Sequence, residues 1–83
     1  MSDKAKPPVP LTVNDVIVFI GNDGLKYGKT SYIKAERHPT YATFEVRVDA
    51  KPTLEVVVSH YVMADPPICR EYIERNMQRF FKP

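Results

Sequence analysis

From Tyr41 to Ala50 the sequence alternates without a break. Ala42, Phe44, Val46, Val48 and Ala50 fall on one side, and Tyr41, Thr43, Glu45, Arg47 and Asp49 on the other. Successive side chains of a strand point to opposite faces, so this is a strand with one face in a core and one in water. Such a strand is stable only beside others, and Leu54 to Val62 supplies the first neighbour. Leu54, Val56, Val58 and Val62 share one face there, and Glu55, Val57, Ser59 and Tyr61 the other. Asp49-Ala50-Lys51-Pro52-Thr53 between them has the residues of a turn. A chain built around this pair is a sheet protein.

The residues upstream extend the same theme. Val13 to Ile20 is rich in β-branched residues and reads as a first strand. Val16 to Ile20 is apolar on both faces, so the strand is expected to be covered on both sides. Asn22-Asp23-Gly24 follows as a tight hairpin turn, since these residues tolerate the positive φ it needs. Leu25 to Glu36 is a second, more polar strand. Tyr27, Ile33 and Ala35 share a face with Lys29 and Ser31, and Tyr32 shares the other with Lys26, Thr30 and Lys34. Gly28 within it predicts a bulge or sharp bend. Arg37-His38-Pro39-Thr40 closes that strand. Four strands on short loops give an antiparallel meander. The expected fold is mainly β with an added helix: a four-to-five-stranded, SH3-like barrel or bent meander over residues 11–64, followed by a C-terminal amphipathic helix over 65–83.

Asp65-Pro66-Pro67 opens that helix, with Asp as N-cap and Pro where no donor is needed. Ile68, Tyr72, Ile73, Met77, Phe80 and Phe81 recur at helical spacing as one apolar stripe, expected to dock on the sheet. Arg70, Glu71, Glu74, Arg75, Gln78 and Arg79 take the other side, with Glu71 and Arg75 in the favourable i, i+4 order. Residues 1–10 are polar and then proline-rich and read as a disordered tail; its Pro7-x-x-Pro10 spacing is one that SH3-type ligands use.

Eighty-three residues make one domain with a modest core. A single cysteine, Cys69, excludes an intrachain disulfide, which fits a reducing compartment and an intracellular, cytoplasmic setting. The first residues lack the apolar stretch of a signal peptide, and no apolar run reaches membrane-spanning length, so no membrane association is expected. The net charge of +2 is unevenly spread. Residues 11–65 carry six basic and seven acidic residues, and residues 66–83 four basic and two acidic. A dedicated phosphate binder is usually more basic than this β-rich region.

Phe19-Ile-Gly-Asn-Asp-Gly-Leu-Lys-Tyr-Gly28 and Val56-Val-Val-Ser-His60 give the chain a resemblance to SH3-type small barrels, and within them to the Sm-like family that includes the bacterial Hfq proteins. The resemblance covers roughly half the chain. It implies ring assembly and uridine binding, with His60 as an RNA contact. The chain departs from that family in four ways: Ser59 stands where the family has a basic residue, Asp23 falls on its turn glycine, the alternation between that turn and Gly28 is out of phase by one residue, and the helix follows the barrel instead of preceding it. Tudor-like relatives would imply an aromatic cage for methylated side chains, to which Tyr27, Tyr32 and Tyr61 could contribute.

Catalytic chemistry finds little support. The two histidines lack metal-spaced partners, and there is no Cys-x-x-Cys, phosphate-cradling glycine loop or serine elbow. No catalytic residue, metal or cofactor is expected. Cys69 opens a helix, where a dipole can activate a thiol, but a half-buried structural residue is the expectation. His60 is expected to be a satisfied core or edge histidine.

The residues expected to meet a partner are Lys26, Tyr27, Lys29, Tyr32, Lys34, Arg37, His38 and Tyr41 along the polar strand and its loop, with Arg75 and Arg79 on the helix. Tyrosine and arginine dominate protein interfaces, so the first expectation is a non-catalytic module acting through protein–protein interaction. It would serve as an adaptor, an inhibitor or an accessory subunit of a larger complex. The alternative is RNA or single-stranded nucleic acid, with lysines on phosphates and rings stacked on bases. A homo-oligomer is compatible with either.

Overall fold

The computed structural model describes residues 10–81. Its elements run α1 (Val13–Gly24), β1 (Thr30–Arg37), β2 (Tyr41–Val48), β3 (Leu54–Ser59), α2 (His60–Met63) and α3 (Pro66–Phe81). The strands form one antiparallel sheet in the order β1-β2-β3. The protein is therefore a small α+β protein with an open three-stranded sheet and a C-terminal helix. The proposed tail over residues 1–10 lies, apart from Pro10, outside the described residues.

The largest correction is at the first element: Val13 to Ile20 is helical, not a strand. Thr12 and Asp15 form a reciprocal capping box. The Thr12 hydroxyl accepts from the Asp15 N–H at 3.1 Å, and the Asp15 carboxylate accepts from the Thr12 N–H at 3.0 Å. Val13, Val16, Ile17 and Ile20 then recur at i, i+3, i+4 and i+7, placing Val16 and Ile20 fully inside. Asn22-Asp23-Gly24 ends this helix and is not a hairpin turn. With no strand there, β1 and β3 are the edges of the sheet among the described residues.

The strand expected from Leu25 begins only at Thr30. Gly28 makes the bend between helix and strand, with φ +148°, a conformation L side chains rarely adopt. A Cβ on Gly28 would strike the Asp49 carboxylate. That carboxylate accepts from the Lys29 N–H at 3.1 Å, and the Asp49 N–H donates to the Lys29 carbonyl at 2.8 Å. The register shift lies further on, between Thr30 and Tyr32.

β2 has the expected phase: Ala42, Phe44, Val46 and Val48 are buried, as are Leu54, Val56 and Val58 of β3. β3 stops at Ser59, short of the expected Val62, because the Ser59 hydroxyl accepts from the Val62 N–H at 3.1 Å and caps α2.

Both long helices cover the same face of the sheet. α1 lies over β1 and β2, α3 lies beside α1 and over β3, and all share one core. α3 is turned from the expected stripe. Cys69, Ile73, Met77 and Phe81, spaced every four residues, face inward, while Ile68, Tyr72 and Phe80 stay exposed. Burying Phe44, Ile73 and Met77 completely contributes about 1.5–3 kcal/mol each to folding.

Candidate interaction surface

No element among the described residues covers the second face of the sheet, and the register fixes its composition. Tyr32 stands opposite Arg47. Lys34 stands opposite Glu45, which stands opposite Glu55. Glu36 stands opposite Thr43, which stands opposite Val57, and Tyr41 stands opposite Ser59. The Tyr32 hydroxyl donates to the Glu45 carboxylate at 2.8 Å, and that bond chiefly raises the phenol's pKa above its ordinary value. His38 stacks on Tyr41 at 4.4 Å, and its Nε2 lies 3.5 Å from the Thr43 hydroxyl.

This face brings together only four of the expected partner residues, Tyr32, Lys34, His38 and Tyr41. The others are dispersed. Tyr27 packs on Phe81, with ring centroids 5.4 Å apart, and belongs to the core margin. Lys26 reaches Glu74 at 3.2 Å and Asp23 at 3.3 Å, and these two carboxylates raise its pKa, Glu74 the more. Lys29 precedes the sheet. Arg37 stands opposite Ala42, in phase with the inner face, beside a cleft that His60 and Met63 also line. Arg75 pairs with Glu71 at 3.0 Å on the outside of α3, as its spacing predicts, and Arg79 is exposed in the last turn.

His60 opens α2 instead of lying within a strand. Its backbone N–H donates to the Thr40 carbonyl at 2.9 Å, but its buried Nε2 has no partner among the described residues. Cys69 is fully buried rather than half-buried, and desolvation raises its thiol pKa, the opposite of what a nucleophile needs. Among the described residues no group of His, Cys, Asp and Glu side chains is placed to hold a metal ion. No described helix is long and apolar enough to cross a membrane.

A second surface surrounds the outer edge of β3, and sequence reasoning missed it. Tyr61 projects from α2 with 89% of its surface exposed. It lines a cleft of about 370 Å³ with Val62, Ala64, Asp65 and Ile68, the last 53% exposed. One turn along α3 from Ile68, the Tyr72 hydroxyl donates to the Val57 carbonyl at 2.9 Å. Val57 is itself exposed on the open face of the sheet. Tyr61, Ile68, Tyr72 and Val57 thus form an apolar and aromatic arc from α2 across α3 to the sheet. The available signal was the four-residue spacing of Cys69, Ile73, Met77 and Phe81, which leaves Ile68 and Tyr72 on the flank. No family model, curated protein or solved structure matches this chain.

Proposed function

We propose that this chain is a non-catalytic protein-binding module, working as an adaptor, an inhibitor or an accessory subunit of a larger complex. The observation that carries this reading is the arc of Tyr61, Ile68, Tyr72 and Val57. Exposed apolar side chains joined across three elements are the composition of a protein-interface centre, and aromatic anchors dominate the energy of such centres. The arc contains no charged side chain, and Asp65 lies at its rim.

Charge argues in the same direction. The uncovered face of the sheet holds Lys34 and Arg47 against Glu36, Glu45 and Glu55. Three carboxylates among two cations repel a phosphate backbone, and Lys26 and Lys29 lie outside the strands. Nucleic acid is therefore the weaker reading of the Lys–Tyr strand.

The test is capture of partners by the tagged protein from its native lysate, with and without nuclease, beside a Tyr61→Ala/Ile68→Ala variant. Proteins that survive nuclease and are lost with the variant support the reading. Proteins that depend on nuclease-sensitive material, with nucleic acid recovered from the untreated sample, overturn it in favour of the nucleic-acid alternative. Capture unaffected by the double variant also overturns the assignment to the arc.

A further inference from the structure

At the opposite edge of the sheet, no strand among the described residues pairs with the outer side of β1, and its sequence is complementary to itself. The His38 N–H donates to the Tyr41 carbonyl at 2.8 Å and makes these two a hydrogen-bonded pair. Hydrogen-bonded and non-bonded pairs alternate along an antiparallel ladder. Glu36, Lys34 and Tyr32 therefore turn their backbone groups toward β2, while Ile33, Ala35 and Arg37 turn theirs toward the open edge. Among the described residues no backbone hydrogen bond outside the sheet engages Ile33, Ala35 or Arg37.

We infer that β1 pairs antiparallel with β1 of a second copy of this chain, about a two-fold axis through Ala35, giving a continuous six-stranded sheet. In that register Ala35 meets Ala35 of the second copy, and Ile33 meets Arg37, so the outward backbone groups of Ile33, Ala35 and Arg37 find partners. On the open face Lys34 stands opposite Glu36 of the second copy and Glu36 opposite its Lys34. Tyr32 stands opposite its His38. Neither Lys34 nor Glu36 makes an ion pair within the chain among the described residues.

Charge selects this register over its neighbours. A shift of two residues one way sets Lys34 against Lys34, and the other way Glu36 against Glu36. A shift of four one way runs the pairing past the register break at Thr30–Tyr32 to Lys29, which precedes the strand, and the other way sets Arg37 against Arg37. Shifts of odd number place outward backbone groups opposite inward ones and forfeit the ladder. Like charges directly opposite each other destabilise a strand pair, and opposite charges stabilise it.

The helical layer fits the same arrangement. A Cβ on Gly21 would lie 3.7 Å from Ile33 Cδ1, so that flank of α1 sits over β1. Ile17, Val18, Gly21 and Leu25 lie together on that flank at helical spacing, with Val18 57% and Leu25 70% exposed. Because α1 covers both β1 and β2, joining two sheets at β1 separates the α1 helices by about two strand spacings, roughly 10 Å, the distance at which helices pack. The exposed apolar flank of each α1 then faces its counterpart. This pairing does not rest on the arc at β3, which lies at the far edge and remains exposed in both copies.

Sedimentation equilibrium of the full chain from low concentrations to about 200 µM is the test, with circular dichroism to check that each variant is folded. The wild type is expected to show a species of twice the 9.5 kDa chain mass. Lys34→Glu and Glu36→Lys each place like charges opposite one another twice and are expected to weaken self-association about tenfold or more. The double exchange Lys34→Glu/Glu36→Lys restores both pairs and is expected to recover wild-type association. A monomer or a species larger than a dimer at the highest concentration overturns the inference. Single variants that associate like the wild type, or a double variant no better than the singles, overturn the register.

Discussion

Tyr72 and Val57 are joined across the edge of the sheet, the phenol hydroxyl of one donating to the backbone carbonyl of the other at 2.9 Å. The bond ties the middle of α3 to β3 and occupies a carbonyl that an added strand would need. Tyr72→Phe keeps the ring and removes the donor. The expected loss is about 1 kcal/mol of stability, read from the urea midpoint at unchanged m-value. An unchanged midpoint would show that water replaces the phenol at no cost.

The capping box of Thr12 and Asp15 starts α1 in a stretch whose residue types favour strands. Thr12→Ala is expected to cost about 1 kcal/mol, and up to about 2, in thermal or urea unfolding. If residues 13–20 formed a strand, Thr12 would cap nothing and the substitution would be neutral.

Gly28 combines a φ of +148° with the Asp49 carboxylate directly over its Cα. Gly28→Val has to displace that carboxylate and strain the backbone, which together cost about 2 kcal/mol or more. A wild-type melting temperature for this variant would refute the bend.

Tyr32 titrates above an ordinary phenol because its neutral form donates to Glu45. A pKa raised on folding contributes stability that is fully present below the unfolded value of about 10 and is lost as pH rises through the folded value. Glu45→Gln should lower the Tyr32 pKa and reduce the alkaline loss of stability. NMR titration of the Tyr32 ring carbon checks the first, and unfolding midpoints between about pH 9 and 11 check the second.

Cys69 is fully buried, and desolvation raises its thiol pKa. The native protein is expected to resist alkylation near pH 8 and to react promptly once unfolded in urea. Fast alkylation of the native chain would place the thiol at the surface and reopen its role as a nucleophile.

The phases of β2 and β3 and the start of α3 were readable from residues alone. Alternation from Tyr41 to Val48 leaves one choice of inner face, and Asp65-Pro66-Pro67 admits few conformations besides a helix start. Arg75 with Glu71 was legible for a similar reason, since i, i+4 contact is local. The interaction surface was not legible: Tyr61 turned outward because Ser59 capped a helix, and Ile68 and Tyr72 were left exposed by a rotation of α3 that only its contacts set.

Val13 to Ile20 shows where local information stops. Its β-branched residues favour a strand, while its i, i+3, i+4 spacing and the Thr12–Asp15 box favour a helix, and the two preferences are of similar size. The sequence by itself determined that this segment is apolar, that β2 and β3 present one inner face, and that a helix follows Asp65. Only the tertiary structure decided that the segment is a helix. In that form Val16 and Ile20 pack fully against the inner face shared by Phe44 and Ile33, and burial of whole side chains outweighs the tenths of a kcal/mol by which propensities differ.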